Sequence, residues 1–254
     1  MTFLYHTLIF YPLYNAFVLL MDALPFLDAG MIIIVFTIII RLILYPLAKK
    51  SVQTQAIMRE INPEIEKIKE KYKDNKEKLS LETLAIYKKY KLNPFASIFL
   101  LLIQFPILIA LYRIFLFAGF THIDAEILYS FVPVPLHGVS TIFLGMIDVA
   151  QKSYIFAFLA AVSQYFQAEL MIQVPPKKAG PQSMSDSFAR NMSVQMKYVM
   201  PVIIFFIAYS TTGVVAIYLT VSNIFMIGQE LFVRRQLKKN PKTLFIEKSE
   251  APKA

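Results

Sequence analysis

Apolar runs alternate along this chain with short lysine-rich stretches, and four of the runs can cross a bilayer: 29–48, 94–118, 154–172 and 198–233. About 20 consecutive apolar residues suffice for a helical span. The fourth run is ambiguous, because its uncharged part, Tyr198 to Gln229, is long for one upright helix and Thr211-Thr212-Gly213 interrupts it. Two helices meeting near Gly213 also return the basic end of the chain to the side it came from, so the pattern predicts five spans. Residues 3–27 are apolar too, but His6, Pro12, Asn15 and Asp22 break the run, and only Asp28-Ala29-Gly30 separates it from the next span. That spacing is tight for a transmembrane hairpin. An interfacial helix on the outer face, within 1–27, is the expectation.

Between the first two spans the pattern changes. Ile57, Ile61, Ile65, Ile68 and Tyr72 recur at helical spacing and share one face. After the polar KDNK, Ser80 is a candidate cap for a second helix with Leu84 and Tyr87 on one side. Two such helices joined by a short turn predict an antiparallel hairpin over 49–93. Residues 175–191 lack periodicity and read as a mobile loop.

Charge then orients the spans. Residues 49–93 hold twelve Lys/Arg and seven acids, 173–197 four Lys/Arg and one acid, and the tail from Arg234 seven Lys/Arg and two acids. The segment 119–153 has one lysine and three acids. Lysine and arginine collect on the cytoplasmic side, so 49–93, 173–197 and 234–254 are expected inside and 119–153 outside. The spans are then 28–48, 94–118, 154–172 and a pair within 198–233, with the N-terminus out and the C-terminus cytoplasmic. Only 17% of residues are charged, against roughly 25% in ordinary soluble domains. Cysteine is absent and the three histidines are scattered, which excludes disulfides and Cys-ligated metal, and no cofactor is expected. No basic segment precedes the first apolar stretch, and no cleaved signal peptide is expected. Each basic block flanks an apolar run, so DNA is not an expected partner.

The polar residues inside the spans carry the chemistry. Thr37, Arg41 and Tyr45 are four residues apart and predict one helix face. Gln104 sits amid LLLIQFPILIA, Ser163, Gln164 and Gln167 cluster in the third span, and Thr220, Ser222 and Asn223 fall in the last. In lipid each would lack a partner, so these faces should meet one another or water. The candidate groove is therefore Arg41, Thr37, Tyr45, Gln104, Gln164, Gln167, Thr220 and Asn223. Two plainer readings stay open. Arg41 lies about 12 Å of helix from Lys49 and can snorkel toward headgroups, while Gln and Asn in spans also serve as interhelical hydrogen bonds. No carboxylate lies on the four polar faces, and Glu169 is only a shallow partner. An arginine without an internal counter-charge is available to an acidic group from elsewhere.

With TIIIRLILYPLAKKS (37–51), NPEIEKIKEKYKDNKEKL (62–79), NPFASIFLLLIQFPILIALYRIF (93–115) and YVMPVIIFFIAYSTTGVVAIYLTVSNIF (198–225), the chain resembles the YidC/Oxa family of membrane protein insertases. The resemblance runs from about Tyr11 to Arg235, in matching order and spacing, and is to a minimal bacterial form. It implies an all-α integral membrane fold: five transmembrane helices around a polar groove, plus a cytoplasmic helical hairpin. The implied groove opens to the cytoplasm and to lipid and is closed outside, and the family's groove arginine falls on Arg41. The implied activity is insertion of short-tailed membrane proteins into the bacterial plasma membrane, with no bond made or broken, so no enzyme is expected. Implied partners are nascent membrane proteins and the lipid bilayer, with the ribosome, through the basic tail, and the Sec translocon as further candidates. Leu219 and Leu100 depart from the family pattern, which has an aromatic residue and a proline there. Two other classes remain: a small-solute transporter or channel, for which no internal repeat or acidic relay is present, and a structural assembly factor, which needs no buried arginine.

Overall fold

A computed structural model describes residues 2–73, 75–90, 92, 96–115, 123–135, 138–172 and 184–239, and the side chains of 2, 96–104, 184–186, 188 and 189 lie outside the described set. The chain divides into two units, 1–43 with 104–228 and 44–103 with 229–254. Among the described residues the regular elements are helical, except for one two-stranded ribbon.

The first unit begins with α1 (Thr2–Tyr5), a π turn (His6–Phe10) and α2 (Tyr11–Ala23). Pro12 has no N–H to give the preceding turn, and the wider π turn just before it absorbs that gap. The same device recurs where a π turn over Gln195–Val199 precedes Pro201. One face of α2 buries Tyr14, Phe17, Val18 and Met21. Phe17 meets Phe36 and Phe115 edge-on, at 5.4 Å each, so α2 packs on α3 (Ala29–Ile43) and on the end of α6 (Ala96–Arg113).

The connection after α6 folds back onto these helices. The Tyr14 hydroxyl accepts from the Asp124 N–H at 2.7 Å. The Asn15 side chain donates to the Ile127 carbonyl at 2.9 Å and accepts from the Tyr129 N–H at 2.6 Å. Further on, β1 (Ile142–Phe143) pairs antiparallel with β2 (Ile147–Asp148). Leu144 and Gly145, in the Leu144–Met146 connection between the strands, both have positive φ, 50° and 72°, left-handed backbone that glycine adopts freely. The ribbon closes over the start of α3. Asp28 caps Met31 N at 2.9 Å and accepts from Leu144 N at 3.0 Å, Ala29 N donates to Ser140 O at 2.8 Å, and the Phe143 ring lies against Gly30 where a Cβ would collide with it.

Ser153 caps α7 (Tyr154–Met171), which packs along α9 (Met200–Ser210) with the Tyr154 and Tyr209 rings stacked at 4.2 Å. The chain is helical before α9 as well, in α8 (Met184–Val194), where a loop over 175–191 was expected. Met184, Phe188, Met192 and Met196 recur every four residues, a helical signal diluted by the serines between them. Residues 173–183 lie outside the described set. The predicted break near Gly213 is present: α9 stops at Ser210, and α10 (Gly213–Lys239) starts with Gly213 N bonded to Gln151 O at 2.8 Å and Val214 N to Val149 O at 3.1 Å.

In the second unit α4 (Tyr45–Lys71) and α5 (Lys76–Lys89) fold back on each other around Ile61, Ile65 and Ile86, flanked by Ile57, Ile68 and Tyr87. Tyr90 reaches across to Glu64 at 2.9 Å. The isoleucine face is the expected one. Two details differ. Asn75, not Ser80, caps α5 by accepting from Lys78 N, since the helix begins five residues earlier than the cap rule placed it. Leu84 is 52% exposed and Ile86 takes the core position. The far end of α10 also belongs to this unit. Val233 and Leu237 pack on Val52, so Arg234–Lys239 extend a helix rather than begin a loose tail, while 240–254 lie outside the described residues. Beside this cluster Glu230 is buried and pairs with Arg234 at 2.7 Å. Burial, then the charge of Arg234, pulls the Arg59 guanidinium below its ordinary value, and Glu230 opposes both.

Among the described residues Phe3–Ala23, Arg190–Ser210 and Gly213–Lys239 are long and apolar enough to cross a membrane, and α3 with α4 makes a fourth if counted as one interrupted span. Five were expected. Ser163, Gln164, Gln167 and Glu169 make α7 too polar to join that group, and α6 is only partly described.

Candidate functional site

Helix α3 is apolar except for Thr37 and Arg41, one turn apart on a buried face. Thr37 is fully enclosed and its hydroxyl donates to Ile33 O at 2.6 Å, inside its own helix. Arg41 is only 5% exposed. Among the described residues the Tyr218 phenol of α10, itself buried, acts on it electrostatically. Ion pairs among the described residues include Lys89 with Glu64, Lys197 with Glu169 and Arg234 with Glu230, and Arg41 is in none of these. Glu169, the shallow partner offered by the sequence, sits 2.7 Å from Lys197 instead.

Tyr218 escaped the sequence reading because a tyrosine within VVAIYLTV reads as one more apolar residue. Its position one turn before Ser222 was the available clue. Ser222 Oγ is buried and has no hydrogen-bond partner among the described residues. Asn223, next along α10, donates to Ser163 Oγ of α7 at 3.1 Å, and Ser163 in turn donates to Ala160 O. Thr220 bonds back to Ala216 O at 2.8 Å. On α7, Gln164 Nε2 donates to Gln167 Oε1 at 3.1 Å, and Gln167 reaches Met171 Sδ at 2.7 Å. The structure thus brings Arg41 to Tyr218, and Asn223 to Ser163. The side chain of Gln104 lies outside the described residues. Tyr45 departs from the expected face, because α3 ends at Ile43 and α4 starts at Tyr45. Pro46, with no N–H to return to Leu42, breaks the helix there, and the Tyr45 carbonyl faces Gln229 Nε2 at 3.4 Å.

Chemically, this is no catalytic constellation. It is a guanidinium held inside an apolar helical unit beside a phenol, without a described carboxylate to neutralise it.

Helices long and apolar enough to cross a bilayer define an integral membrane protein. The family described as 60Kd inner membrane protein matches residues 20–240, and the chain belongs to it, the YidC/Oxa insertases, which are not enzymes. The membrane protein insertase YidC of Clostridium tetani is 33% identical over 231 residues, covering 91% of this chain and 93% of that one. The insertase YidC of Clostridium perfringens is 38% identical over 154 residues, 60% of this chain and 58% of that one. The insertase MisCA of Bacillus subtilis is 32% identical over 219 residues, 84% and 73% respectively.

Proposed function

We propose that the chain inserts short-tailed membrane proteins into the bacterial plasma membrane through a polar groove around Arg41. The observation that carries this reading is the burial of Arg41 without a described carboxylate. A charge in hydrocarbon is costly and functional by default. The groove lowers the barrier to moving a polar tail across the membrane by substituting water and polar side chains for the tail's hydration. Arg41 attracts acidic residues of the tail and holds them briefly. Partitioning of the following substrate helix into lipid then drives release. The orphaned Ser222 hydroxyl fits a hydrated interior, since a buried polar group without a protein partner recruits water.

In this reading Gln104, Gln164, Gln167, Thr37, Thr220 and Asn223 line the groove with Arg41 and Tyr218. Five spans enclose it, with 49–93, 173–197 and the C-terminus in the cytoplasm and α2 lying at the outer face. The bonds from Asn15 to the 127–129 backbone support that last placement. The basic tail docks the ribosome, and the Sec translocon is a further partner.

The decisive experiment reconstitutes the chain alone into liposomes and measures insertion of a small single-span substrate. Single cysteines at Gln164, Gln167 and Thr220, in a chain that has none, should react with a water-soluble maleimide, while one at the exposed Phe158 should not. Local hydrogen bonds at Gln164, Gln167 and Asn223 favour a second reading, sealed helix contacts, and unreactive cysteines at all three sites would establish it instead.

A further inference from the structure

The β1–β2 ribbon presents an apolar tip that neither the fold nor the groove uses. Its inward residue, Phe143, packs on Gly30 and Phe156. Its outward residues do not: Ile142, Leu144 and Met146 are 50%, 58% and 78% exposed. The turn itself makes the choice of residue informative. Two adjacent residues hold left-handed backbone, Leu144 at φ 50° and Gly145 at 72°, a geometry that asparagine and glycine adopt easily and a bulky side chain does not. A leucine there works against the turn and is half exposed, so something outside the fold rewards it.

The surroundings identify what. No charged residue occurs between Gly138 and Ile147. The ribbon is bonded to the first turn of α3 through Ser140 O and Asp28, and its continuation to the first turn of α10 through Val149 O and Gln151 O. It therefore sits level with the ends of the helices. Phe143 of the ribbon touches Phe156 of α7, and the start of that helix exposes Tyr154, Ile155 and Phe158. In the five-span reading, on which this inference rests, α7 lies in the membrane, and the lipid that covers its exposed apolar start is the occupant that also suits an uncharged apolar tip.

We infer that Ile142, Leu144 and Met146 dip into the acyl region of the bilayer leaflet at this end of the unit, anchoring the ribbon over the starts of α3 and α10. This is independent of the Arg41 groove, and either can fail alone.

The chain contains no tryptophan, so one substituted residue is a clean fluorescent probe. Leu144→Trp and Met146→Trp are made separately in the full chain and reconstituted into phosphatidylcholine–phosphatidylglycerol vesicles with or without brominated acyl chains. Phe158→Trp is the acyl-facing reference and Leu81→Trp the water-facing one. The expected result is loss of emission by brominated lipid as large as at Phe158, with little loss to aqueous acrylamide. Quenching by acrylamide and not by lipid would mean the tip stands in water. Quenching by neither would mean protein covers it, a second copy of this chain included. Each of those outcomes overturns the inference. Leu144→Asn separates anchoring from folding, because asparagine tolerates the turn better. With Met146→Trp as reporter, Leu144→Asn should melt no lower than its parent yet lose lipid quenching, and unchanged quenching would remove Leu144 from the anchor.

Discussion

Replacing Arg41 by methionine separates a structural arginine from a working one, because the two roles predict opposite signs. Arg41 is 5% exposed, has no described carboxylate partner and feels the Tyr218 phenol electrostatically. Exchanging a buried charge for an apolar side chain of similar volume ranges from neutral to about 4 kcal/mol stabilising. Thermal melting of Arg41→Met in detergent should therefore show an unchanged or higher midpoint. Insertion should fall. At 4 Å and an effective dielectric of 20, a guanidinium and a substrate carboxylate attract by about 4 kcal/mol. Desolvation of both charges offsets roughly half, leaving about 2 kcal/mol, or about thirty-fold in the occupancy of an acidic tail. Proteoliposome insertion of a pair of substrates, identical but for acidic or neutral tails, reads this directly. The acidic substrate should lose most of its insertion and the neutral one little. Arg41→Lys should recover part of it, keeping the charge but not the bidentate fork. A lower melting point combined with equal losses for both tails would refute the reasoning and make Arg41 a structural residue.

Gly30→Ala should destabilise the first unit by about 1–3 kcal/mol, because its new methyl meets the Phe143 ring. Phe143→Leu in the same chain should restore most of the melting point, and no rescue would argue against that contact. Glu230→Gln removes the carboxylate between Arg234 and Arg59 and should loosen the second unit by about 1–3 kcal/mol. Faster amide hydrogen exchange in the first turns of α4 is the expected readout, with the Ile61–Ile86 cluster unaffected.

Periodicity and composition determined much of this protein. The apolar runs, the break near Gly213 and the isoleucine face of α4 follow from local spacing, because a helix needs only its own neighbours to satisfy its backbone. Arg41 stood out for the same reason, as one charge in an apolar run. What the tertiary structure alone decided involves partners far along the chain. Asn15 bonds residues 112 and 114 positions away, and Asp28 bonds Leu144, 116 positions away, so the closing of the ribbon over α3 leaves no periodic trace. Tyr218 was hidden because its pattern is that of a core residue, and only burial beside Arg41 gives its hydroxyl a meaning. The residues from Arg234 onward read as a basic tail, and their first turn joins α10 because Leu237 packs on Val52. A helix continues where its next turn can bury something, and that depends on what the rest of the fold places beside it.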